Sequence, residues 1–183
     1  MAIGCRWKAM KKFCDFREFR GFSWPEPREL QHYFFAPPWK REWFQDGRND
    51  GAILMEQAAY NTDDLPIGQG RVKTSLQLWG KPNLGVLLVY SRLGGGYGDV
   101  FSSKGNMTRI REWVRSTHGD PLPLGLFIPF APAYQAVKEF IETDGELPKS
   151  IEWIANKDLP PNTFPEPWNV PPGTERSYPD VTS

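Results

Sequence analysis

The sequence lacks any run of about 18 apolar residues, the length that a membrane-spanning helix requires. We therefore expect no transmembrane segment, and the charged stretch 1–16 also lacks the apolar centre of a secretory signal peptide. Cysteine is scarce, because Cys5 and Cys14 are the only two and both lie near the start of the chain. Such a pair is a poor disulfide framework and fits a reducing compartment, so we predict a cytoplasmic location.

Histidine is equally scarce, with only His32 and His118. The spacing of Cys5 and Cys14 is wider than zinc motifs use, and no further ligands follow, so the sequence predicts no metal site and no cofactor. Cys14 and His32 could in principle meet in the folded chain as nucleophile and base, but Cys14 falls in the least regular part of the sequence. We therefore predict no catalytic residues. A small hydrolase or transferase that uses Cys14, His32 or His118 is the less favoured alternative.

Phosphate-binding motifs are absent although glycine is locally abundant. The cluster Gly94, Gly95, Gly96 and Gly98 is followed by neither GKS nor GKT, and it does not match GxGxxG. The cluster is instead typical of a deformable hairpin loop, which would let neighbouring Tyr97 and Asp99 adapt to a partner.

The chain also lacks a continuous basic stripe, because its zero net charge is divided into blocks. The net charge is +4 over 1–45, −4 over 46–70, +6 over 71–115 and −6 over 116–183. Nucleic-acid binding depends on many phosphate contacts, so we predict no direct nucleic-acid partner. Alternating blocks suit a surface that presents charged patches to a protein, although solvated faces would give the same pattern.

What the chain does contain is enough apolar material, 39% of its 183 residues, for one domain with a sizeable core. We predict an α+β domain over 25–156, in which two or three helices pack on a mainly antiparallel sheet. A flexible or loosely packed N-terminal arm precedes it over 1–24, and a proline-rich extended tail follows over 157–183. The patterns predict helices at 27–35 and 107–116, the second capped by Asn106, and strands at 52–58, 71–78, 85–91, 100–101 and 124–130.

The stretch 127–154 predicts a strand, a helix, a turn and a second strand. Pro132 suits the first helical position, and an apolar face follows at helical spacing and ends with Phe140 and Ile141. Gly145 can take the left-handed conformation just beyond the helix, and Pro148 blocks its continuation. The sequence then becomes extended, with Ile151 and Trp153 on one face.

This arrangement resembles the C-terminal hallmark of the first-numbered family of polymorphic-toxin immunity proteins, which are often encoded beside toxins with deaminase domains. The hallmark is a proline-led helix with a late phenylalanine, a Thr-Gly-like turn, a leucine-proline pair and an isoleucine-x-tryptophan strand. The matching residues, all structural, are Pro129 or Pro132, then Phe140, Thr143, Gly145, Leu147, Pro148, Ile151 and Trp153. Asp144 inside the turn and the proline-rich tail depart from the pattern.

The resemblance implies a protein that binds a cognate toxin domain and blocks its active site without catalysis of its own. Acidic loop residues would meet cationic groups on the toxin, and large rings at strand ends would anchor the contact. The predicted toxin-binding residues are Asp50, Asp63, Asp64, Trp79, Arg92, Tyr97 and Asp99. A general protein-interaction or adaptor domain would share the same fold signals and stays an alternative.

Overall fold

The structure is a computed structural model that describes residues 10–16, 19–37, 53–59, 73–94, 97–116 and 118–177. Its strands and helices are, in chain order, β1 (Met10–Asp15), α1 (Pro27–Phe35), β2 (Ile53–Ala59), β3 (Lys73–Lys81), β4 (Gly85–Gly94), β5 (Tyr97–Ser103), β6 (Trp113–Arg115), β7 (Pro121–Pro123), β8 (Phe127–Ile128), α2 (Phe130–Glu142) and β9 (Trp153–Ala155). Short 3-10 turns lie at Met107–Arg109, Leu124–Leu126, Asn156–Asp158 and Pro167–Asn169.

One antiparallel sheet organises the molecule, with the strand order β1-β2-β3-β4-β5-β9. The short strand β8 also pairs with β4, at the end of β4 that β5 does not reach. β6 and β7 form a separate two-stranded hairpin. The α+β class with a mainly antiparallel sheet and two helices is therefore confirmed. Among the described residues, neither helix has the length and apolar content of a membrane span.

The main core lies between one face of the sheet and the two helices. β3 alternates strictly between buried and half-buried positions, as expected of a strand with only one face in the core. α2 packs on β4 and on α1, and its buried stripe includes Val137 and the fully buried Phe140. The fully buried side chains of this core include Cys14, Phe16, Leu30, Tyr33, Phe34, Leu76, Leu78 and Leu88.

A second, smaller core covers part of the opposite face of the sheet. Leu87 of β4 and Phe127 of β8 pack there with apolar residues of the 107–126 region, and Trp79 and Val89 lie against them. The residues buried in this second core are Leu87, Ile110, Val114, Leu122, Leu124, Leu126 and Phe127.

The predicted helix at 107–116 is wrong. Asn106 does cap a turn, since its Oδ1 accepts a hydrogen bond from the Thr108 N–H at 3.2 Å, but only one 3-10 turn follows. Trp113 and Val114 then form β6, because pairing with β7 buries Val114 in the second core and Trp113 against Thr163 of the tail. Tertiary packing therefore overrides the helical spacing of this segment.

The predicted strand at 124–130 is shorter than expected, because a 3-10 turn over Leu124–Leu126 precedes β8. Gly125 accounts for the close packing of this turn, since a Cβ there would lie 2.9 Å from the Cα of Ile110. The glycine cluster also differs from the predicted wide loop. β4 and β5 extend into it and pair Gly94 with Tyr97, so only residues 95 and 96 connect them.

The N-terminal segment was expected to be a loosely packed arm, yet its described part joins the sheet. β1 pairs with β2, and Cys14 and Phe16 are fully buried in the main core. The backbone of Cys14 also exchanges two hydrogen bonds with Gly21, at 2.9 and 3.0 Å. Of the aromatic residues here, Phe16 is a core residue and Phe19 and Trp24 pack against the core, whereas Phe13 and Phe22 are exposed.

The described part of the proline-rich tail, residues 157–177, includes the 3-10 turn Pro167–Asn169 and packs on the hairpin. The indole N–H of Trp113 donates to the carbonyl oxygen of the buried Thr163 at 2.9 Å. The Trp113 backbone also bonds to Thr174 at 3.1 Å and to Arg176 at 2.7 Å. Proline removes backbone donors, so these contacts come from the few residues between the prolines.

Candidate functional site

The strand register places three polar residues side by side on one face of the sheet. Thr74 of β3 lies opposite Arg92 of β4, which lies opposite Asp99 of β5, and directly opposed residues share a face. Arg92 comes two residues after Tyr90, whose ring contacts Phe140 in the main core. These three polar residues therefore lie just beyond the part of the sheet face that α2 covers.

The end of α2 brings acidic residues to the same place. The Gly145 N–H donates to the carbonyl oxygen of Phe140 at 2.8 Å, and the Asp144 N–H donates to that of Ile141 at 3.3 Å, which is the Schellman pattern. Gly145 has a positive φ of 95°, as predicted, and Asp144 before it, with φ 58°, is left-handed as well. Aspartate tolerates this conformation better than most residues, and Glu146 follows two positions later.

Arg92 is the centre of this cluster, but few of its donors are used. Its guanidinium lies 4.2 Å from the ring centre of Tyr97, and its Nη1 lies 3.7 Å from a carboxylate oxygen of Glu146. The Nε atom is buried and has no hydrogen-bond partner in the described part of the chain. An arginine carries five N–H donors, and because the Arg92 side chain is 33% exposed although Nε is buried, donors of its Nη groups are what a partner can reach.

The surface formed by Arg92, Tyr97, Asp99, Asp144 and Glu146 is hereafter the Arg92 surface. Tyr97 is 46% exposed, and the side chain of Glu146 is 67% exposed. Asp144 forms an ion pair with Lys12 of β1, with Nζ 2.6 Å from Oδ1. Three carboxylates and one stacked guanidinium thus face solvent together, with one lysine beside them.

Tyr90 supports this surface from below. Its hydroxyl donates to the carbonyl oxygen of Gly145 at 3.4 Å, which ties β4 to the turn after α2. Burial raises the pKa of Tyr90, and the neighbouring Glu146 and Asp99 raise it further, while Arg92 and a hydrogen bond with Thr74 lower it. The hydroxyl therefore stays protonated and keeps donating under ordinary conditions.

A groove of about 560 Å³ runs beside the Arg92 surface. Lys12 lies between the two, since its Nζ is also 4.5 Å from the ring centre of Trp24. The ring of Phe22, which lines the groove, is 83% exposed. An exposed ring next to charged groups is a combination that protein interfaces share. The remaining lining residues are Ser23, Pro25, Glu26, Pro27, Ile141 and Glu142.

Of the predicted toxin-binding residues, the structure brings Arg92, Tyr97 and Asp99 together. Trp79 is not part of this surface, because it lies on the opposite face of the sheet against the second core. Asp50, Asp63 and Asp64 lie outside the described residues. Asp144 and Glu146 were not predicted as site residues, because their distance from Arg92 depends on how α2 packs on β4.

The residues matched to the immunity hallmark all lie in structural positions. Helix α2 begins at Phe130, so Pro132 is its third residue instead of its first, a position where a backbone N–H is still not needed. Leu147, Ile151 and Trp153 pack against the main core. The Trp153 indole N–H donates to the carbonyl oxygen of Pro148 at 2.7 Å, which closes the turn.

The residues considered for catalysis are not arranged for it. Cys14 is fully buried in β1, and this burial, with a smaller effect of Asp15, raises its pKa to about 12. A reactive cysteine needs a lowered pKa instead. His32 and His118 are both exposed. Among the described residues, no group of three or more His, Cys, Asp or Glu side chains has a geometry that could hold a metal ion.

Comparison with protein families decides what kind of protein carries this surface. A family model described as immunity protein Imm1 matches residues 45–155. The chain belongs to the Imm1 immunity-protein family. The part of this Imm1 protein that matches includes the whole Arg92 surface and ends with β9. No curated protein and no solved structure shows significant similarity to the chain.

Proposed function

We propose that this Imm1 protein binds a cognate bacterial toxin domain in the cytoplasm and neutralises it by covering the toxin's active site. A nucleic-acid deaminase is the toxin class that we propose, on the basis of the family resemblance. Binding needs no catalytic residue in the immunity protein, and steric exclusion of substrate is sufficient. Family membership is the observation that carries this proposal.

The Arg92 surface is our proposed centre of the toxin contact. Arginine and tyrosine dominate the energetics of protein interfaces, and here they already stack on each other at 4.2 Å. Stacking reduces the side-chain freedom that Arg92 would lose on binding, so less of the interaction energy is spent on ordering it. The exposed Nη groups of Arg92 suit an acidic group or a carbonyl oxygen of the toxin.

The acidic residues around Arg92 suit the chemistry of the proposed target. An enzyme that binds nucleic acid holds phosphates with cationic groups, and Asp99 and Glu146 can pair with such groups in place of the substrate. We propose that Asp50, Asp63 and Asp64 extend this acidic contact. A protein that covers the cationic rim in this way competes directly with the nucleic acid.

Co-expression with the toxin encoded by the neighbouring gene tests the proposal. We expect the two proteins to co-purify. In an activity assay, about one molecule of the immunity protein per toxin molecule should abolish the toxin's activity on nucleic acid. Absence of binding and of protection would contradict the proposed function. If the chain is an adaptor domain instead, any complex it forms will leave the partner's catalytic activity intact.

Replacing Arg92 by alanine tests the placement of the contact. We expect the toxin affinity to fall by at least about tenfold, because a stacked arginine at the centre of an interface is lost. Lys104→Ala is the matched control, since Lys104 is a surface cation paired with Glu152 at 2.9 Å outside the Arg92 surface. Equal affinities of the two variants, measured by calorimetry, would place the toxin elsewhere.

A further inference from the structure

Strand β5 has an outer edge that is only partly paired. Strand β9 pairs with Phe101, Ser102 and Ser103 of β5, and the Lys104 N–H donates to the carbonyl oxygen of Glu152 at 2.9 Å. Backbone groups alternate in direction along an antiparallel strand, so every second residue from Lys104 points to the same side. Gly98 and Val100 therefore direct their N–H and C=O groups to the outer edge.

No described residue pairs with this edge at Gly98 and Val100. β9 ends at Ala155, because the chain turns into the 3-10 turn Asn156–Asp158, and Asn156 Oδ1 accepts a hydrogen bond from Ser102 Oγ at 2.7 Å. The place where a longer β9 would lie is a cleft of about 230 Å³. The cleft is lined by residues 98–101 of β5 and by residues 155–157.

The other edge of the sheet, formed by β1, is different. There the backbone N–H and C=O of Cys14 already bond to Gly21, so a neighbouring segment covers the strand near its C-terminal end. β5 keeps its unpaired groups beside a cleft, and sheet edges of this kind are the template for strand addition.

We infer that an extended segment of the cognate toxin adds to the β5 edge as a further antiparallel strand, with its backbone bonded to Gly98 and Val100. This inference rests on the proposed function and specifies how the toxin is held. The added strand would lie directly beside Asp99 and would continue the Arg92 surface, because residues opposed across a sheet share a face.

Charge selects the occupant of this edge. A second copy of the chain that used both Gly98 and Val100 would have to pair Gly98 of one copy with Val100 of the other. That register would place the two Asp99 side chains directly opposite each other, and opposed like charges destabilise a sheet. A toxin segment with lysine or arginine at the position opposite Asp99 would instead form a favourable pair.

Amide hydrogen exchange, measured by NMR on the protein alone and bound to the toxin of the neighbouring gene, tests this inference. We expect exchange at Gly98 and Val100 to slow by at least about tenfold in the complex, since both N–H groups become bonded. The Asp99 N–H points toward β4 and should be protected in both states. It is the internal control.

The possible outcomes separate the two proposals. If the complex forms but the Gly98 and Val100 amides exchange as before, strand addition is wrong and the proposed function stands. If no complex forms, both proposals fail. Protection of these amides without toxin, rising with protein concentration, would identify a second copy as the occupant and would overturn the inference.

A pair of variants at Val100 gives an independent measurement. Val100→Pro removes the outward N–H, at a position where an edge strand tolerates proline, and we expect about a tenfold loss of toxin affinity. Val100→Thr keeps the N–H and the branched side chain, so its affinity should stay within about twofold of the original. Equal toxin affinities of a folded Val100→Pro variant and the original chain would contradict strand addition. If that variant does not fold, the amide exchange measurement alone tests strand addition.

Discussion

Glu139, on the surface of α2, shows how much one side chain can organise beyond its own helix. Its two carboxylate oxygens accept hydrogen bonds from the backbone N–H groups of Lys149 and Ser150, each at 2.9 Å. Burial by itself would raise the pKa of Glu139, but these hydrogen bonds outweigh burial and lower it. In its ionised form, Glu139 therefore holds the segment between the turn after α2 and strand β9 in place.

Replacing Glu139 by glutamine should destabilise the protein by about 1 kcal/mol, because an amide keeps only one acceptor oxygen and directs its NH₂ group toward a second donor. Denaturant unfolding measures this loss. Glu142→Gln on the same helix is the control, and we expect less than about 0.5 kcal/mol there, because its 3.8 Å contact with Lys138 is an exposed ion pair. A similar loss in both variants would show that the Glu139 contacts contribute nothing specific.

The turn that follows α2 shows the limit of prediction for single residues. Leu147, Pro148, Ile151 and Trp153 have the structural roles that the hallmark implies. Gly145 has the positive φ that was predicted, but Asp144 before it is also left-handed and forms an ion pair with Lys12. Lys12 comes from a distant strand, so local sequence contains no sign of this contact.

Among the elements, the β6–β7 hairpin is the one that anchors the described part of the tail through Trp113. Trp113 and Val114 fall within a helical spacing, so the sequence predicted a helix there. In the structure they form strand β6, because the segment pairs with β7 and contacts the tail. The elements with a strong local signal, α1 and α2, were predicted closely. The short strands β6 to β8 were not, because their conformation depends on partners remote in sequence.

Trp113→Phe should release the first part of the tail while the domain stays folded. The change leaves the buried Thr163 carbonyl without the indole donor at 2.9 Å, which costs about 1 kcal/mol. We expect a small fall in Tm and faster amide exchange at Asn162 and Thr163, since the two preceding prolines carry no N–H. Trp168→Phe is the control, because the Trp168 ring is 78% exposed and should be neutral. An unchanged tail in Trp113→Phe would show that this bond does not hold it.

The far end of the tail should respond to acid. Hydrogen bonds from Arg109 and then Arg176 lower the pKa of Glu112 from 4.5 to about 2. Because the folded pKa lies below the usual value, this stabilisation is complete above about pH 4.5 and is lost as the pH falls toward 2. We expect exchange at the Arg176 amide to rise in that range beyond the intrinsic pH effect. The Glu112→Gln variant should lack this excess exchange at low pH. Identical pH profiles of Arg176 exchange in the variant and the original chain would contradict the role of Glu112.

At the scale of the whole molecule, Phe140 joins three separate parts of the chain. Its ring lies 4.9 Å from that of Trp24 in the segment before α1 and 6.3 Å from that of Tyr90 in the sheet. The hallmark phenylalanine therefore holds α2 between the N-terminal region and β4. The same packing places Asp144 and Glu146 next to Arg92, so the main core also positions the proposed binding surface.

Phe140→Ala should destabilise the whole domain by about 3 to 5 kcal/mol, through lost burial and the cavity that remains. Phe140→Leu should cost about 1.5 kcal/mol or less. Both values come from cooperative unfolding in denaturant. Phe164→Ala is the surface control, since that ring is 44% exposed, and we expect a change below about 0.5 kcal/mol. A loss at Phe140 no larger than that of the control would contradict its central place.

Local pattern was enough to establish the α+β class, helices α1 and α2, strands β2 to β4 and the family resemblance, because apolar periodicity and turn residues act over a few neighbouring positions. The Arg92 surface depends on contacts across β4, β5, the end of α2 and β1, which are far apart in sequence. The burial of Cys14, the docking of the tail and the partly open edge of β5 have the same origin. Each follows from which distant segments pack together, and periodicity carries no information about that choice.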